Sequence, residues 1–191
     1  MKKVFPLIIL LVVTLYSSNI IAQTTVSSQI SSSQEDAEEI LSSGIIDIDG
    51  TDLEVLNDTN GAQEIGLHFK NLNIPVGAII DNAYLEVITS NQSPDLLSVN
   101  VYAEASDDSQ IWSTNNQDIS SRIKTTAFVL LSSTDWNTSI VSNGVKMQSY
   151  DIASIIQEVV NRQGFQSQDA INIIISRDSG GNQAIHSFDG S

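Results

Sequence analysis

The feature that most narrows the choice of fold is a period of two. In Ile65-Gly66-Leu67-His68-Phe69-Lys70, apolar residues alternate with polar or small ones. The same rhythm runs through Ala83-Tyr84-Leu85-Glu86-Val87 and through Leu97-Ser98-Val99-Asn100-Val101. Alternation over such lengths describes half-buried strands of an antiparallel sheet, because successive side chains of a strand point to opposite faces. Turn signals separate the runs: Asn60-Gly61, Pro75-Val76-Gly77, Ser93-Pro94-Asp95, Asn143-Gly144 and Ser179-Gly180-Gly181. Ala127 to Leu131 and Ile171 to Ile175 are continuously apolar, which predicts central strands covered on both faces.

One segment keeps a different period. Ile152, Ile155, Ile156, Val159 and Val160 recur at the spacing of one helical face. Asp151 fits an N-cap, and Gly164 stands where a helix would stop. The expectation is a helix over about 151–163 whose apolar stripe closes one end or side of a β-sandwich. Its polar face lacks a run of Lys or Arg, so it does not read as a membrane-surface helix. Short, evenly spaced strands and one helix predict an all-β jelly roll or sandwich.

The first residues read differently again. Lys2 and Lys3 precede the apolar run Val4 to Val13, and Ala22 supplies a small residue before Gln23. This is the pattern of a secretory signal peptide over 1–22, too short to span a bilayer comfortably. A working chain of 169 residues follows from the 191 once 22 are removed. Residues 23–34 are mostly Ser, Thr and Gln and read as a flexible leader. Residues 35–191 are then the sandwich module, secreted or held at the cell surface, with no membrane insertion after cleavage. The chain has no cysteine, so an exported fold must hold itself by packing or by a metal. Its 23 acidic residues face 8 basic ones, a net charge of −15. Two of the basic residues leave with the leader, which takes the mature chain to −17. Such a surface repels phosphate backbones and argues against nucleic acid as a partner.

Four segments resemble a module of secreted, multidomain bacterial proteins. Gln63 to Leu85, with Gly66-Leu67-His68-Phe69, Ile74-Pro75-Val76-Gly77-Ala78 and Ala83-Tyr84-Leu85, is similar to its "GLRF…IPxGAxIxxAYLxF" stretch. Ala103 to Asp108, Ile119 to Thr125 and Ile155 to Arg162 resemble its acidic Ala-Ser turn, its "ISSRxxT" segment and its "IVQEIVNR" helix. The module is similar to the disaggregatase-related DNRLRE-type domains and to jelly-roll carbohydrate-binding modules. The resemblance covers roughly residues 35 to 191. It implies a non-catalytic jelly roll attached to further domains of a cell-surface or polysaccharide-acting protein. His68 stands where the pattern usually has Arg. The module also usually adds an apolar strand after its Ser-x-Asp-Gly turn, so Phe188-Asp189-Gly190-Ser191 implies a missing final strand.

Three kinds of site compete. Asp36, Glu38, Asp52, Glu54 and Asp189 come from both chain ends, which neighbour each other in jelly rolls. Calcium takes six to eight oxygens, and carboxylates so placed would hold a structural ion. Asp47-Ile48-Asp49-Gly50 is not an EF-hand, since its Gly is fourth and no Glu stands at position twelve. The other reading of these acids is a solvated surface. Tyr84 and Tyr102 alternate out of phase with core residues and predict a flat sugar-binding face on neighbouring strands. Glu86, Asn100 and His68 would hydrogen-bond hydroxyls there. The competing reading puts these tyrosines under the helix or a loop, and Trp112 and Trp136 read as core or loop anchors. Catalysis has little support. There are two histidines, His68 and His186, and no Gly-x-Ser-x-Gly elbow. The sequons at Asn57 and Asn137 carry no weight in a chain with a bacterial resemblance. The expected function is a non-catalytic, polysaccharide-binding surface module stiffened by calcium. A ligand-free spacer or adhesion repeat is the alternative, and a small hydrolase the remote one.

Overall fold

The computed structural model describes residues 23–55, 57–90, 97–132, 134–135, 143–180 and 183–190. The expected signal peptide over 1–22, the turn at Pro94, Trp136 and Asn137 lie outside the described residues. In chain order the elements are β1 (Asp36–Ile40), β2 (Ile45–Asp47), β3 (Asp52–Val55), β4 (Asn57–Asp58), β5 (Gly61–Phe69), β6 (Glu86–Ile88), β7 (Leu97–Ala103), β8 (Val129–Ser132), β9 (Lys146–Gln148), α1 (Ala153–Val160), β10 (Ile171–Gly180) and β11 (Gln183–His186). A single turn of 3-10 helix over Ser33–Glu35 precedes β1.

The architecture is an all-β sandwich. Its larger sheet runs β2-β1-β5-β10-β7-β8 with β4 added at β5, and every pairing is antiparallel. The opposite layer is built from the β3–β11 and β6–β9 ribbons. A bridge between Thr89 and Ile185 links the two ribbons. The two layers bury Leu53, Val55, Ile65, Leu67, Val99, Val101, Met147, Ile173, Ile175 and Ile185 in one apolar cluster.

The helix seals this cluster with Ile155, Val159 and Val160, aided by Ile152 and Phe165. It is shorter than the apolar stripe predicts and begins at Ala153. Asp151 still caps it in effect, because its Oδ1 accepts from the Ala153 N–H at 3.0 Å and from the Ala83 N–H at 2.9 Å. The carboxylate therefore ties the helix start to the approach of β6.

The sequence misreads two strands. Ile171 to Ile175 do lie in a central strand, β10, buried on both faces. Ala127 to Leu131, however, lead into β8 at the sheet edge, where Phe128 and Leu130 are exposed. A continuous apolar run marks two-sided burial only if layers cover both faces of the sheet, and here the face carrying Phe128 and Leu130 is left open. Conversely, β5 is buried from Gln63 through His68 and is not half-buried. Residues 23–34 form no strand but do not run free. Ser28 Oγ donates to the Lys70 carbonyl at 2.6 Å, and Ile30 packs on the main core.

The second buried face explains the extra burial. Ala37, Gly66, Ile174 and Tyr102 stand side by side in register across β1, β5, β10 and β7. The segment from Glu104 to Thr125 folds over this row. Trp112 lies directly on Gly66, where an added Cβ would sit 2.5 Å from the indole ring. Glycine is required there for close approach. Ile46 and Ile119 complete a small second core with Trp112. Arg122 pins the cover: it stacks 4.3 Å from the indole centroid, pairs with Glu104 at 3.0 Å and Asp118 at 3.2 Å, and donates to the Gln110 and Ile111 carbonyls. The indole Nε1 is buried without a hydrogen-bond partner among the described residues, so the stacked guanidinium and the packing are what hold the ring.

Candidate functional site: the open face of β6 and β9

The densest acidic run of the chain is not a solvated surface. Glu35, Asp36, Glu38 and Glu39 are all buried, three of them in β1. Burying a carboxylate is tolerable only when its oxygens find donors. Glu39 finds them under the cover, accepting from the N–H groups of Ile119 (3.0 Å) and Ser120 (2.7 Å) and from Ser120 Oγ (2.5 Å). Beside it in register, Glu64 is held by Ser176 and by Lys124 at 3.1 Å. Glu35 pairs with Lys70 and accepts from the Ser31 N–H.

The five acids expected to hold calcium divide into separate places. Asp36 Oδ2 accepts the Phe188 N–H at 2.7 Å, and burial first, then the nearby Asp189 charge, push its carboxyl up to about 6. Glu38 lies against Glu54, whose N–H it accepts at 3.0 Å. Burial and the Glu54 carboxyl drive Glu38 up to about 8, with Asp47 adding repulsion. Asp52 reaches Ser90 Oγ at 3.4 Å, and Asp189 accepts from Ser33 Oγ at 3.0 Å. The two ends of the described chain do meet, as expected. Yet among the described residues no three acidic or histidine side chains gather into a ligand set. The donors at this end satisfy carboxyl groups by protons and N–H groups, a poor fit to an ion wanting six or more oxygens.

The expected sugar face is corrected in its partners. His68 is buried, with Nδ1 2.7 Å from Asn172 Oδ1, and belongs to the covered face. Asn100 and Tyr102 lie on β7 at the rim of that same face, where Tyr102 meets Phe128 at a centroid distance of 5.6 Å. Tyr84 and Glu86 belong to the other layer, so Tyr84 and Tyr102 are not on neighbouring strands. The alternation separates the two faces of each strand but, as buried His68 shows, does not say which face is covered. It carries no information on which strand lies alongside.

The true neighbour of β6 is β9. Their register sets Glu86 opposite Gln148 and Ile88 opposite Lys146. One step further, the Ser149 N–H donates to the Leu85 carbonyl at 2.8 Å. That brings Tyr84 and Tyr150 to the same end of the ribbon, 50% and 68% exposed. Both line a groove of about 570 Å³ with Thr134, Asp135, Gln148, Ser149 and Asp151. A second cavity, of about 10 Å³, is internal and lined mainly by apolar core residues such as Val99 and Met147.

The groove is rigidly framed. Ser149 Oγ donates to the Tyr150 carbonyl at 2.7 Å and accepts the Leu85 N–H at 2.9 Å. The Ile152 N–H reaches the Ala83 carbonyl at 2.8 Å. Asp151 joins the two strand ends as described. Asp135 Oδ2 accepts from both Oγ and N–H of Ser132 at 2.7 Å, which holds its carboxyl below the usual range. Glu86 is paired with Lys146 at 2.8 Å on the open strand face. Chemically this is a shelf of two aromatic rings edged by acceptors and one amide. Neither histidine lines it, so it offers no nucleophile with an imidazole base.

Tyr150 escaped the sequence reading because it precedes the helix in a segment with no clear period of two. The one available signal was its position beside the capping Asp151. No protein-family model matches the chain, and no curated protein matches it.

Proposed function

We propose that this chain is an exported, non-catalytic module that binds polysaccharide on the open β6–β9 face. The observation that carries the reading is the pair of exposed tyrosines at one end of the β6–β9 ribbon, lining one groove with polar groups. Sugar rings present flat C–H faces that pack on aromatic rings, while their hydroxyls need acceptors and donors at the edge. Tyr84 and Tyr150 supply the rings, and Gln148, Thr134, Asp135 and Asp151 supply the edge. Because hydrogen bonds already fix the backbone at both tyrosines, little ordering cost is left for the moment of binding.

Affinity electrophoresis through gels loaded with a panel of polysaccharides tests the reading. At least one glycan should retard the mature chain, and Tyr150→Ala or Tyr84→Ala should abolish the retardation. Equal mobility of wild type and both variants in every gel would overturn it. A spacer without a ligand is the second reading, and the heavily braced covered face favours it, since that face commits its aromatic and acidic groups to holding the fold.

A further inference from the structure

We infer that the groove prefers a positively charged amino-sugar chain to neutral or acidic glycans; the inference rests on the glycan-binding reading above. The groove residues are Tyr84, Thr134, Asp135, Gln148, Ser149, Tyr150 and Asp151. Two are carboxylates and none is Lys or Arg. The cation on the same ribbon, Lys146, is already paired with Glu86. Each groove carboxylate has its protein bonds on one oxygen, Oδ2 of Asp135 and Oδ1 of Asp151. Among the described residues the other oxygen of each has no partner.

Covering ionised carboxylates with a neutral ligand removes water without supplying a counter-charge, which is unfavourable. An ammonium group reverses that balance. It donates charge-assisted hydrogen bonds to the carboxylates. It is also attracted to the faces of the tyrosine rings. A hexosamine with a free amine combines this cation with a ring that stacks. Uronic acids and sulfated sugars meet like charge in the groove, in a chain whose net charge is −15. Asp135 keeps its charge in mildly acidic solution, because the Ser132 hydrogen bonds favour its ionised form.

Titration calorimetry of the mature chain with glucosamine oligomers, their N-acetylated counterparts, neutral gluco-oligomers and uronic-acid oligomers provides the test, at a pH where the free amine is charged. Glucosamine oligomers should bind about ten-fold tighter than the acetylated ones, and added salt should narrow the gap. Asp135→Asn and Asp151→Asn keep an acceptor for the backbone N–H groups, so both variants should fold. Each should weaken glucosamine binding several-fold more than it weakens binding of the acetylated oligomer, because the loss of charge falls on the ammonium alone. Equal affinity for charged and acetylated oligomers would overturn the charge preference while leaving glycan binding intact. No heat with any oligomer, together with no retardation in any gel, would remove both.

Discussion

The two outer faces of this sandwich use similar residues to opposite ends. Over the large sheet, Trp112 of the cover packs between cover and sheet under the Arg122 guanidinium, and the carboxylates Glu39, Glu64 and Glu104 have their partners in the chain. On the β6–β9 ribbon, Tyr84, Tyr150, Asp135 and Asp151 stay at the surface. The difference shows that residue type does not announce a role. What separates a brace from a binding surface is whether the partners of each ring and carboxylate are already supplied.

The sharpest way to break this contrast is to remove the brace. Trp112→Ala should cost about 3–5 kcal/mol in urea unfolding, the range for a fully buried large aromatic. Gly66→Ala drives a methyl into the indole and should cost about 1–3 kcal/mol. A loss under 1 kcal/mol for Trp112→Ala would mean the cover is dispensable.

Protons sharpen the contrast next. Glu38 and Asp36 titrate near 8 and 6 in the fold, against 4.5 and 3.8 as free side chains. Between these limits the folded chain binds more protons than the unfolded one. Stability therefore falls as pH rises from about 4 to about 8 and levels off above. Glu38→Gln should flatten that fall, most visibly above pH 6 where Asp36 no longer contributes, and should stabilise the chain at pH 8 relative to wild type. Urea midpoints at several pH values check this, and a stability that climbs toward pH 8 would contradict it.

Much of the fold was legible beforehand. The period of two marks β5, β6 and β7, the helical stripe marks α1, and the apolar run Ile171 to Ile175 marks the central strand. Long-range pairing was not legible. Nothing local says that Tyr84 shares a ribbon with Tyr150, because register between β6 and β9 is set by inter-strand bonds some sixty residues apart in sequence. The acidic run at β1 was misread for a related reason. Its donors, Ser120, Phe188 and Lys70, lie far along the chain. Two residues of the expected sugar face, Tyr84 and Glu86, lie at the ribbon of the candidate site; His68, Asn100 and Tyr102 lie elsewhere.

Smaller effects belong to the open face. Tyr150→Ala should change stability by no more than about 0.5 kcal/mol, as expected for an exposed position, while glycan retardation is lost. A large destabilisation would show that Tyr150 is a brace after all. The smallest effect is expected from calcium. Millimolar calcium should leave the thermal midpoint near its starting value, because Asp36, Glu38, Asp52, Glu54 and Asp189 do not form one ligand set. A clear rise would mean that a cation replaces the protons at the acidic end.

The place of β10 has one more outcome. Its partners β5 (Gly61–Phe69) and β7 (Leu97–Ala103) come far earlier in the chain, and Ile171–Gly180 is what joins them. Without that late strand, β2-β1-β5 with β4 and the β7–β8 pair are two separate pieces of sheet. The large sheet is therefore closed only by a strand far along the chain, and long-range pairing of that kind slows folding.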